Sequence, residues 1–150
     1  MPKSEDKLNG GSARRTILVV LSVAVANVGV SIGAGERPTP EYVAAMKTLG
    51  VVAQGLGKAV ETFDFDTIEK YVVAARPALD FVQKFWEQKK VDDAVQAAQD
   101  ASASIAELSV SATVRSDEGA AVATKSLLGA CTTCHDAHRE KLSDGSFQIK

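Results

Sequence analysis

The sequence predicts an all-α protein, an antiparallel four-helix bundle. Three features carry that expectation. Apolar residues recur at alternating spacings of three and four along four segments between Tyr42 and His138, the signature of a helix face. The composition is 45% hydrophobic but only 5% aromatic, with four prolines, a mix that favours helices over many short strands. The breaks between the segments are short, which makes neighbouring helices antiparallel. The chain has 150 residues, enough for one domain, and a formal net charge of −2. That balance argues against nucleic acid as a partner, which would want a basic stripe.

Residues 1–34 read differently from the rest. A polar stretch ends in Arg14 and Arg15, and Thr16 to Ala34 then run without a charge. A basic region, an apolar region and small residues at its end describe a secretory signal, with cleavage expected after Ala34 or else after Ala26. The competing reading is an uncleaved membrane anchor, because the uncharged run approaches the ~20 residues that span a bilayer. Ser22, Asn27 and Ser31 dilute that run and favour cleavage. On either reading the domain, residues 35–150, is expected in the periplasm, free or tethered to the membrane. Without the leader the chain carries a formal charge of −4, which suits solubility.

The first helix opens at Thr39, a good N-cap, with Pro40 in the first helical position and Glu41 at the positive helix end. Its seam is Tyr42, Met46, Leu49, Ala53, Leu56 and Val60. Gly50, Gly55 and Gly57 weaken the later turns and allow a neighbour to come close. The second starts near Phe65, with Asp66 and Glu69 as a capping-box-like pair, and carries Ile68, Val72, Ala75, Leu79, Val82 and Trp86. Pro77 inside it is expected to kink the helix or split it. The third restarts the phase at Val91, where neither Gly nor Pro marks the turn. It continues through Ala94, Ala98, Ala101, Ile105, Leu108 and Ala112. That face is mostly alanine, and a bulky non-protein group would fit against it. Ser116 caps the fourth, expected over residues 117–142, with Ala121, Thr124, Leu128, Cys131, His135 and His138 on one stripe. The tail from Ser143 is expected to be loose.

Both cysteines and both histidines of the chain fall in "CTTCHDAH", residues 131–138. On a helix Cys131, Cys134 and His135 share a face. Zinc would need four ligands, and here all four would come from one helix, whereas structural zinc sites normally draw on two segments. A thioredoxin-like dithiol prefers a helix N-terminus, and this pair lies several turns in. A disulfide between the two would close a tiny loop and stabilise little. Haem attachment has a chemical reason for the spacing. Two thiols join the two vinyl groups at one porphyrin edge, and the adjacent histidine supplies an axial ligand. Cys-x-x-Cys-His in an exported chain therefore points to one covalent haem c.

These residues resemble the class II c-type cytochromes, the cytochrome c-prime family. "GACTTCHDAHR" resembles that family's haem motif in the last helix, and "AAMKTLG" resembles a segment of its first helix. The likeness covers roughly residues 37–142 and is loose in the second and third helices. It implies a four-helix bundle with His135 on the iron and Met46 over the opposite haem face. Members with Met there can coordinate it and become six-coordinate and low-spin. Others leave iron five-coordinate and bind small gases such as NO or CO. Met46 is also an inward position on an apolar seam, where methionine usually just packs. A Met/His pair raises the reduction potential and suits electron transfer.

Two positions depart from the family. Tyr42 stands where it often has an arginine near a haem propionate, and offers a hydrogen bond without a charge. His138 stands at its aromatic position and is either a surface residue or a hydrogen-bonding group near a propionate. Arg139 matches a basic residue near the proximal haem face, or is a solvated charge. Trp86 contacts the haem or packs the core. The resulting expectation is an exported single-electron carrier, not an enzyme, with protein redox partners that the sequence does not name. A gas-binding haem protein is the alternative. Family members often dimerise through the first two helices, so a homodimer is also implied by the resemblance.

Overall fold

The computed structural model describes residues 35–150. The expected leader, its cleavage site and its anchoring role lie outside the described residues. Among the described residues no helix is long and apolar enough to cross a membrane. Four helices follow one another: α1 (Pro40–Glu61), α2 (Phe65–Lys89), α3 (Asp92–Thr113) and α4 (Asp117–His138). Each packs against the next in sequence, and α1 meets α4 more lightly. Two short strands follow, β1 (Arg139–Lys141) and β2 (Phe147–Ile149).

All three reversals between helices use one device. Phe63, Lys90 and Arg115 have φ of 55°, 57° and 52°, the left-handed conformation that usually falls to glycine. The next N–H reaches back five residues in each: Asp64 to Ala59 (2.9 Å), Val91 to Trp86 (3.3 Å) and Ser116 to Ser111 (2.9 Å). The left-handed residue itself donates three residues back, to Val60, Glu87 and Ala112. These are Schellman ends, which satisfy the last carbonyls of each helix. Hence the turn after α2 needs neither Gly nor Pro.

The caps differ in detail from the sequence reading. Thr39 accepts from the Tyr42 N–H and Ser116 from the Gly119 N–H, as expected. The cap of α2 is Asp64, which accepts from Thr67 N–H at 3.0 Å, so Asp66 and Glu69 do not form the capping box. Pro77 does not split α2. It and Val73, whose carbonyl lost its partner, both lie on the exposed side, where the freed carbonyl is not buried. Of the three α1 glycines only Gly55 has a close neighbour, the Tyr71 ring; a Cβ at Gly50 or Gly57 would meet nothing within 4 Å.

The interior follows the predicted seams of α2 and α3. Leu56, Ile68, Ile105 and Leu108 are among the largest fully buried side chains. On α4 the expected stripe holds at Thr124, Cys131, His135 and His138 but fails at Ala121 and Leu128. Ala120, Ala123, Thr124 and Leu127 are buried, while Ala121 is exposed and Leu128 is 40% exposed. Neighbouring alanines and the Leu127-Leu128 pair leave little contrast to choose the phase by.

The largest correction is the tail. α4 stops at His138, not near residue 142, and the chain turns back as an antiparallel hairpin pairing Arg139 with Ile149 and Lys141 with Phe147. Gly145 at φ 83° makes the turn, and Asp144 Oδ1 accepts from the Ser146 N–H at 2.9 Å. An Asp-Gly pair between strand-like residues is a hairpin signal. Far from loose, Ile149 is 7% exposed, and it exchanges two backbone hydrogen bonds of 2.8 Å with Glu36, just ahead of α1.

Candidate functional site

The four helices leave a largely apolar cavity of about 440 Å³ at the end of the bundle that carries the hairpin. That volume is in the range of small-molecule sites, ~300–1,000 Å³. Every side chain singled out from the sequence lines it. α1 presents Tyr42 and Met46, α2 presents Trp86, and α4 presents Cys131, Cys134, His135 and His138, with Arg139 just beyond. The helical repeat explains the set on α4, because positions 131, 134, 135 and 138 follow one stripe. The alanine face of α3 contributes Ala97, Ala98 and Ala101. Small side chains there keep α3 from filling the space.

Burial sets the protonation of the site. The Cys131 thiol is pushed up by loss of water. Cys134 is pushed up to about 11, by burial first and then by Cys131 and Asp93. Such thiols are neutral near pH 7, the reverse of an activated dithiol. His135 is pushed down, mainly by burial and next by Arg139, while Asp136 opposes them. Its imidazole is held neutral, the form that binds a metal. Tyr42 is pushed up to about 12, by burial and then by Cys134, against the Trp86 N–H and Arg139.

An aromatic cluster floors one side. The Trp86 ring lies 6.1 Å from Tyr42, 5.2 Å from Phe85 and 5.0 Å from His138. Trp86 is 2% exposed, yet its Nε1–H, beside the Tyr42 hydroxyl, meets no acceptor in hydrogen-bonding geometry. Buried donors are rarely left so, and here the orphan sits in a cavity wall. His138 is not a surface residue. Its Nε2 is 3.0 Å from Asp93 Oδ2, tying the end of α4 to the start of α3, and its side chain is mostly buried. Arg139 lies on β1 rather than on the helix, and its guanidinium stacks 4.6 Å from the Phe147 ring centroid.

The sequence reading missed Lys47 and the hairpin side chains Phe147, Gln148 and Ile149, which also line the cavity. The Asp144-Gly145 turn was the available signal for the last three. Among the described residues no group of three or more His, Cys, Asp or Glu side chains converges on a point that could hold a metal ion. No family model, curated protein or solved structure matches the chain.

Proposed function

We propose that the chain is an exported c-type haem protein that transfers single electrons. The observation that supports this most is the convergence of Cys131, Cys134 and His135 from one helix on an apolar cavity that Met46 faces from another. The residues fit the group. A porphyrin brings four ligands of its own, so its iron asks for one or two side chains rather than a cage. Two neutral thiols three residues apart suit thioether attachment. The alanine wall of α3 leaves room for a bulky ring, and the orphaned Trp86 N–H offers a donor to it.

When bound, the haem supplies the iron that takes up and gives back one electron. Cys131 and Cys134 would hold it, and His135, kept neutral by burial, would offer the iron a nitrogen. Met46, facing the same cavity from α1, would offer a thioether. The surrounding side chains exclude water and, packed in a bundle, change little when the charge changes. Lys47 and Arg139, both exposed at the cavity, would balance the acidic groups of the ring. The optical spectrum of protein made with haem-maturation machinery tests the axial pair. A low-spin spectrum that turns high-spin in Met46→Ala is expected. A wild-type spectrum already high-spin and sensitive to CO points to gas binding instead.

A further inference from the structure

We infer that the C-terminal hairpin is the entry gate of the cavity. This goes beyond the haem reading, since it concerns how any ligand reaches the site. Phe147, Gln148 and Ile149 form part of the cavity wall, and with Arg139 and Pro38 they are the lining residues that lie outside the four helices. The helical walls cannot part without opening the shared core, which runs through Leu56, Ile68, Ile105 and Leu108. The hairpin carries no such burden. Its strands are three residues each, and a lone two-stranded hairpin is marginal in water.

Its closed position therefore depends on a few contacts. Ile149 inserts into the buried cluster of Tyr42, Trp86 and Ala94. The two backbone bonds between Glu36 and Ile149 clasp β2 to the segment before α1, and Glu36 in turn pairs with Lys89 at the end of α2. Lys150 Nζ reaches the Asp136 carbonyl at 2.7 Å. The change from helix to strand at Arg139, φ −118° and ψ 130°, provides the hinge. Short elements held by few buried contacts open locally before the rest of a fold does.

Trp86 is the only tryptophan of the chain and lies in the same buried cluster as Ile149, so its fluorescence reports the opening. The test is acrylamide quenching of the unloaded full chain, of Ile149→Ala and of a chain ending at Leu142. A ~10-fold rise in the quenching constant is expected for Ile149→Ala, and a larger one for the shortened chain, with the helical circular dichroism retained. Unchanged quenching in both overturns the gate. So does loss of the helical signal on shortening, since the hairpin would then be part of the bundle. Uptake of ferric protoporphyrin IX is expected to accelerate in the same order. If quenching rises but no variant takes up the free porphyrin, the gate stands, and the haem reading is decided separately by the mass of the chain made with haem-maturation machinery.

Discussion

The buried thiols separate a tether from a redox pair. Cys134 is raised from 9.0 to about 11. Two pH units leave roughly a hundredth of the ordinary thiolate fraction near neutrality, and the thiolate is the form that alkylates. The unloaded chain is therefore expected to react with iodoacetamide at Cys134 roughly 100-fold more slowly when folded than in denaturant, near pH 7. The rate should climb without a plateau until about pH 11. Cys131 is raised as well and should also be slowed. Peptide mapping by mass spectrometry resolves the two sites. If Cys134 reacts as fast in the folded chain as in denaturant, or reaches its plateau near pH 7, burial is not governing it. The dithiol reading would then regain its standing.

Other expectations follow from the same structure. Lys90→Gly relieves a left-handed residue and should stabilise the fold by ~0.5–1 kcal/mol in thermal or urea unfolding; an unchanged midpoint would count against the turn described above. Gly57→Ala adds a Cβ that meets nothing, on a helix interior, and should gain ~0.5–1 kcal/mol in the same assay. Cys134 and Tyr42 both hold their protons to higher pH in the folded state than unfolded, where they ionise near 9.0 and 10.0. Their contribution is thus complete below about pH 9 and is lost as pH rises through about 11 and 12. Urea midpoints should accordingly fall on the alkaline side of pH 9, and a flat profile there refutes the assignment.

Much of the fold was legible because burial imposes its period on the chain. The seam of α2 from Phe65 to Trp86 is buried at every predicted position, since large apolar residues there contrast with charged neighbours. The phase of α4 was harder to read, because alanines on adjacent positions carry little information about which side faces inward. The hairpin was missed because three-residue strands are too short to show a period. Its one strong signal, Asp144-Gly145, sat in a segment that looked polar enough to be loose. For the site, the cysteine spacing and the Met46 seam pointed to residues that line one cavity. The Asp93 partner of His138 lies 45 positions earlier in the chain, and the orphaned Trp86 N–H is a matter of packing. No local pattern announces contacts of that kind.

The central claim is that Cys131 and Cys134 carry a haem. The intact mass of the exported protein, made with haem-maturation machinery and measured in denaturant, addresses it most directly. The polypeptide plus one haem is expected, with the Soret absorbance travelling with the chain, and loss of both in the Cys131→Ala, Cys134→Ala double variant. A bare polypeptide mass and no Soret band from the parent chain would contradict it.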